Sequence, residues 1–210
     1  MAPGTKSGRF ITLEGGEGTG KSTLARGLAD AMRARGRDVV VTREPGGAPG
    51  ADAIRALLVT GDANRWTAHE EALLFAAARL NHLNHTIRPA LKRGAVVICD
   101  RYFDSTRAYQ VGGSDLDPAI LDELNAQIGA DYPDITLILD IDPKSGLARS
   151  RGVDAGEDRF ERKEGGFHRR VRDEFLQIAT REPARCVVID ASLSKDAVLA
   201  AALAAIEARL

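Results

Sequence analysis

The sequence predicts an α/β fold, a doubly wound, five-stranded parallel sheet with helices on both faces. Three observations carry this. Five short β-branched runs (10–13, 39–42, 96–99, 135–139 and 187–189) are apolar almost without interruption, the pattern of strands covered on both faces. Longer helical stretches separate them, so strand and helix alternate along the chain. The 210 residues suffice for one such domain and are few for two.

Taken in order, residues 1–8 are small and polar with no apolar h-region, which reads as a flexible tail and not a signal peptide. The domain then runs from 9 to 210. Helical patterns fall at 21–35, 51–59, 68–92, 118–128 and roughly 159–180. The Ala-rich end, 197–210, is interrupted by Glu207 and Arg209 and reads as a terminal amphipathic helix. One stretch breaks the alternation. Residues 149–166 hold Arg149, Arg151, Arg159, Arg162 and Lys163 among four glycines. Its composition fits a mobile lid over an anionic ligand and an ordinary surface loop equally well. No internal repeat or low-complexity linker interrupts the chain.

Composition excludes several roles. With 29 basic against 30 acidic residues, the chain carries no electrostatic footprint for nucleic acid or for a membrane surface. No apolar stretch approaches the ~20 residues that span a bilayer, so the cytoplasm is the expected compartment. Cys99 and Cys186 each sit in a strand-like run and read as buried thiols. His82 and His85 lie three apart on one helix, but no second pair completes a metal set.

The motif with the most chemistry is Gly15-Gly16-Glu17-Gly18-Thr19-Gly20-Lys21-Ser22. It is a full G-x-x-x-x-G-K-[ST], placed between a strand and a helix. Its glycines let backbone N–H groups turn inward around phosphate oxygens, and the helix start adds its positive end. Lys21 then supplies a full charge to the β/γ-phosphates and Ser22 a hydroxyl to Mg²⁺; Thr23 completes the ATP-binding run. The fold expected is therefore a P-loop NTPase. The motif alone does not separate kinases from GTPases, ATPases or switch proteins.

Two further loops leave strand ends on the same side of the sheet. Arg43, Glu44 and Pro45 follow the second strand, and Asp100-Arg101-Tyr102 follow the third. Arginine suits bidentate phosphate contacts and an aspartate at a strand end suits a Mg²⁺ shell. Either loop alone is more often a surface ion pair. A reaction that joins two polyanions calls for this surplus of cations, because phosphoryl transfer is catalysed mainly by positioning and by charge neutralisation.

These residues resemble those of bacterial thymidylate (dTMP) kinases, over most of the chain from Phe10 to about Ala179. The resemblance rests on the P-loop followed by 42–47 (TREPGG), 75–79 (FAAAR), 100–102 (DRY) and 105–110 (STRAYQ). It implies transfer of the ATP γ-phosphoryl to dTMP, with Mg²⁺ as cofactor and a homodimer built on long helices. It further implies that Phe75 stacks on thymine, that Arg79 donates to a base carbonyl, and that Ser105, Thr106 and Gln110 lie against the base. Tyr109 would pack on the deoxyribose and crowd a 2′-hydroxyl, with Glu44 and Pro45 part of the acceptor site. Arg43 and Arg101 would hold the acceptor phosphate, and Glu17 would serve the acceptor sugar and the phosphate geometry. Ser22 and Asp100 would face the metal. Some members of the family carry an arginine just after the acidic P-loop residue, where this chain has Gly18. The implied catalytic cation then comes from the lid, with Arg149 and Arg151 as first candidates and Arg159 in reserve.

Two rival readings differ in what they require. A kinase for another small acceptor would tolerate other bases, against the set Phe75, Arg79, Ser105 and Gln110. A P-loop switch or partitioning protein would hydrolyse nucleotide slowly without an acceptor. The missing guanine-reading N-K-x-D and the crowded arginine loops weigh against it.

Overall fold

The computed structural model describes residues 8–150, 159–163 and 166–209. Among these, the five strands are β1 (Arg9–Glu14), β2 (Val39–Arg43), β3 (Val96–Asp100), β4 (Ile135–Asp140) and β5 (Cys186–Asp190), all parallel, in the order β2-β3-β1-β4-β5. Each expected strand is present. The period of two explains why they are so uniformly apolar. Ile11, Leu13, Val96, Ile98, Ile135 and Leu137 point to one core, while Phe10, Val97 and Cys99 point to the opposite one. Helices cover both. On the first face lie α1 (Lys21–Ala34), through Leu24, Leu28 and Met32, and α9 (Lys195–Glu207), through Val198, Ala202 and Ile206.

Between α1 and α9 the described helices are α2 (Pro49–Val59), α3 (Ala68–His82), α4 (Arg88–Lys92), α5 (Phe103–Thr106), α6 (Pro118–Gln127), α7 (Pro143–Ser150) and α8 (Phe167–Arg181). Local signals start them. Thr67 and Glu70 form a reciprocal capping box on α3, and Asp117 caps α6 with Pro118 in its first turn.

Three features differ from the sequence expectation. The stretch 68–92 is helical throughout, but a π turn, Leu83–Ile87, separates α3 from α4. Pro89 has no N–H for the ladder and its ring crowds the carbonyl four residues back; the wider turn lies just ahead of it. The helix expected from 159 begins only at Phe167, where Gly166 caps it at φ 81°; residues 159–162 are a turn. Finally, α7 and the α5–π-turn pair (the π turn is Arg107–Gly112) are short and carry no clear amphipathic repeat, so periodicity does not register them. Both cysteines are free and buried. Among the described residues no helix is long and apolar enough to cross a membrane.

Strand register places the chemistry. Arg43 pairs across with Asp100, and Asp100 with Leu13. The second loop, the third loop and the P-loop therefore emerge at one level, on one edge of the sheet.

Candidate active site

The P-loop is a turn that only its sequence could make. Gly15 has φ 131°, and a Cβ there would sit 2.3 Å from the Leu139 carbonyl oxygen. Gly18 has φ 65°, and its Cβ would sit 1.9 Å from the carbonyl oxygen of Gly146 in α7. That contact, with the positive φ, gives a steric reason for glycine at this position. Thr19 is buried and its hydroxyl donates to the Gly16 carbonyl at 3.1 Å.

Lys21 folds over this loop. Its Nζ donates to the carbonyls of Gly15 (3.2 Å) and Gly16 (2.8 Å) and to the Thr19 hydroxyl (3.2 Å). Burial, then the nearby Arg101 charge, push its pKa down to about 8 against the pull of Asp100, Glu17 and Glu14. A phosphate would repay both effects, since it is an acceptor and an anion. Next to it the Ser22 hydroxyl donates to Asp100 Oδ2 at 2.6 Å. These two hard oxygen ligands, at a strand end beside a phosphate cradle, are the kind Mg²⁺ takes while keeping waters and phosphate oxygens as its other ligands.

Arg101 sits at φ 68°, a left-handed conformation rare for a side-chain-bearing residue, with its N–H donating to the Leu13 carbonyl at 2.9 Å. From there its guanidinium reaches the Gly15 carbonyl (2.9 Å), the Ser105 hydroxyl (3.1 Å) and Glu17 Oε1 (3.1 Å), and stacks over the Tyr109 ring at 5.1 Å. Tyr109 donates its hydroxyl to the same Glu17 oxygen at 2.7 Å. Burial alone would raise the Glu17 pKa, but Arg101, Lys21 and the Tyr109 hydroxyl outweigh it and hold it near 2. Glu17 thus leaves the P-loop toward Arg101, just after β3, and toward Tyr109 in the π turn. Arg43, by contrast, is exposed at the cleft, and among the described residues no hydrogen bond or ion pair engages its side chain.

Beyond the arginines lies a buried polar network. Glu44, joined to Pro45 by a cis peptide, accepts from Arg79 Nε at 2.8 Å and lies 3.0 Å from His82 Nδ1. Arg79 is 1% exposed, donates to the Thr106 hydroxyl at 2.9 Å and stacks over Tyr102 at 5.0 Å. Ser105 donates to Glu14 Oε2 at 2.5 Å. Burial and the charge of Asp104 push the Glu14 carboxyl up to about 8. Phe75 is half-buried on α3, one turn from Arg79, with its ring 6.3 Å from that of Phe160. Phe160 also packs edge-on against Tyr109 at 5.7 Å.

Most of these residues face one cleft of about 570 Å³, a size that suits small ligands. Its walls bring together Glu17, Gly18, Gly20, Lys21, Ser22, Thr23, Arg43, Glu44, Pro45, Phe75, Arg79, Asp100, Arg101, Ser105, Thr106, Tyr109, Gln110 and Arg149. Gly15, Gly16 and Thr19 line a smaller cavity behind the P-loop, with Glu17 shared between the two. Arg149 is exposed at the end of α7 and donates to the Ala191 carbonyl at 3.0 Å. Arg151 lies outside the described residues. The reserve candidate, Arg159, is 0% exposed and donates to the carbonyls of Leu58, Asp62 and Ala63. That engagement ties Arg159 to the end of α2 and the loop after it, and its guanidinium does not line the cleft. Sequence reasoning passed over Phe160 and Glu71. Both read as ordinary lid and helix residues, and only the fold brings them to Tyr109 and Gln110.

Comparison with known proteins agrees with this geometry. The thymidylate kinase family profile matches residues 13–202. A thymidylate kinase of Caulobacter vibrioides is 54% identical over 195 residues, 92% of this chain and 93% of that protein. One from Rhizorhabdus wittichii is 54% identical over 196 residues, covering 92% and 94%. The crystal structure of thymidylate kinase from Ehrlichia chaffeensis superposes with a TM-score of 0.78 at 33% identity, covering 95% of this chain and 99% of that one. With a P-loop and two arginine loops meeting at one cleft, and with likeness along nearly its whole length, the chain belongs to the thymidylate kinase family.

Proposed function

We propose the following division of labour for the reaction of this family, transfer of the ATP γ-phosphoryl to dTMP to give dTDP and ADP. The P-loop from Gly15 to Thr23 holds the ATP phosphates, and Lys21 leaves the loop carbonyls to follow charge onto the transferring group. Arg43 and Arg101 clamp the acceptor phosphate in line with it. Phe75 stacks on the thymine ring while Arg79, Ser105, Thr106 and Gln110 border the base. Arg79 keeps two of its five N–H donors after its bonds to Glu44, Thr106 and Asn125. Tyr109, fixed by Glu17, closes the sugar side. Arg149 and Arg151 supply the lid cation, which excludes water and discourages hydrolysis.

Ser22 and Asp100 would hold Mg²⁺, which when bound neutralises charge on the β- and γ-phosphate oxygens. The protein works in the cytoplasm as a homodimer. Leu73 (49% exposed), Ala77 and Leu80 (37% exposed) form an apolar line on α3 that a second copy would cover.

One observation carries the proposal: a single cleft is lined both by the phosphate cradle and by Phe75, Tyr109 and Gln110. The test is ADP production from ATP and Mg²⁺ with dTMP, dUMP, UMP, dCMP, AMP and GMP offered separately. Strong turnover with dTMP, weaker with dUMP and negligible with UMP is expected. Equal turnover with another base would remove the thymine assignment of the pocket. ATP loss independent of any acceptor would point to a switch.

A further inference from the structure

Gln110 is 0% exposed and lines the cleft. The two ends of its amide are treated unequally. Nε2 donates to Glu71 Oε2 at 2.7 Å, whereas Oε1 is buried with no hydrogen-bond partner among the described residues. A buried acceptor left unpaired is costly, and a glutamine amide can exchange its ends by a simple flip. Glu71 forbids that flip. As a carboxylate it only accepts, so it can satisfy the amide nitrogen and never the amide oxygen.

The charge of Glu71 has its own support. Its Oε1 lies 2.6 Å from Arg159 Nη2, and both side chains are at most 2% exposed. The contact is an ion pair without a well-aligned hydrogen bond, and Arg159 is held independently by the carbonyls of Leu58, Asp62 and Ala63. Neither Glu71 nor Arg159 lines the cleft.

We propose that Glu71 and Arg159 are positioning residues that lock the Gln110 amide with its oxygen toward the base, so that the pocket selects a pyrimidine with a hydrogen on N3 over one with a lone pair there. This rests on the placement of the base against Gln110 given above. Thymine offers N3–H to the waiting oxygen. A cytosine ring puts an acceptor in the same place, leaving two buried acceptors facing each other and neither satisfied. Selection against the wrong base thus comes from an orientation fixed behind the pocket wall.

The test compares dTMP with 5-methyl-dCMP, which differ only at N3 and the 4-substituent, through the ratio of their kcat/KM values. Glu71→Gln can donate or accept and so frees the amide to flip; the ratio should fall about tenfold, the weight of one misplaced buried hydrogen bond. Gln110→Met should lower it at least as far, and the double variant no further than Gln110→Met alone. A ratio lowered by Gln110→Met but untouched by Glu71→Gln overturns the proposal, as does additive loss in the double variant. A ratio indifferent to Gln110→Met overturns the base placement and this proposal with it, while dTMP turnover would still uphold the kinase. Should Glu71→Gln leave Arg159 as an unpaired buried cation and prevent folding, Glu71→Gln with Arg159→Met removes both charges and carries the same expectation.

Discussion

The two ends of the cleft solve opposite problems. On the proposed assignment, the phosphate end offers backbone N–H groups, Lys21 resting on loop carbonyls, Arg101 held by Glu17, and Arg43, whose side chain has no hydrogen-bond or ion-pair partner among the described residues. On the same assignment, the polar side chains at the base end are held in direction by protein partners: Arg79 by Glu44 and Thr106, Ser105 by Glu14, and the amide nitrogen of Gln110 by Glu71. A phosphate is a strong anion that many geometries can satisfy, so unspent cations serve it well. A base is neutral, and telling one from another needs donors and acceptors whose directions are fixed in advance. The phosphate end is built to be neutralised by its ligand, and the base end to be oriented before the ligand arrives.

The sharpest way to break this contrast is at Lys21. Lys21→Ala leaves the glycine turn in place but removes the full positive charge that the turn carries. Turnover with dTMP should fall by ~10³-fold or more, because the lost contact strengthens as charge develops on the transferring group. ADP production under saturating ATP reads this directly, and a loss confined to KM would mean that Lys21 only binds.

The two arginines separate next. Arg43→Ala should lower kcat/KM for dTMP by about 10²-fold, the usual penalty for loosening a clamp on a reacting group, and leave Tm unchanged. Arg101→Ala should lose activity and also drop Tm by about 5 °C, since Glu17 would stay behind half-buried without its cation. Equal thermal losses for both would contradict the division into an unspent and a prepaid arginine.

The same contrast explains what the sequence made legible. Spacing revealed the phosphate end because the chemistry there is backbone chemistry, and glycine, lysine and serine at fixed offsets have few other uses. The strands were legible because a parallel sheet buried on both faces leaves no polar alternation to confuse them. The base end was legible only through resemblance. Phe75 within a run of leucines and alanines looks like core, and Arg79, at 1% exposed, is core by position. Glu71 and Arg159 lie 88 positions apart in the chain, and no local pattern announces that they meet. The short helices α5 and α7 escaped because four and eight residues give the hydrophobic period little to repeat over.

Lys21 also yields a pH signature of opposite sign for stability and for binding. Its pKa is about 8 in the folded, ligand-free protein against 10.5 when unperturbed. Between these values the unfolded chain binds more protons, so the Lys21 contribution to stability rises with pH across that window. Phosphate binding restores the proton, so ATP affinity should instead fall about tenfold per pH unit above pH 8, with proton uptake on binding. Calorimetry in buffers of different ionisation enthalpy measures that uptake. Lys21→Met should abolish it together with the slope in stability.

The smallest effect belongs to Phe75, and it decides whether the base end includes an aromatic shelf. Phe75 is half-buried at the cleft and meets Phe160 at 6.3 Å, so part of its ring is held by the protein and part faces the ligand. Phe75→Leu preserves most of the apolar volume while removing the flat π face. If stacking is its task, KM for dTMP should rise about fivefold with kcat and Tm nearly unchanged, the low end of what one base–aromatic contact contributes. If Phe75 is only packing, the volume-conserving change should leave KM alone and cost at most about 1.5 kcal/mol of stability. The split between KM and Tm therefore separates a ligand shelf from core at a position where sequence periodicity reads the same for both.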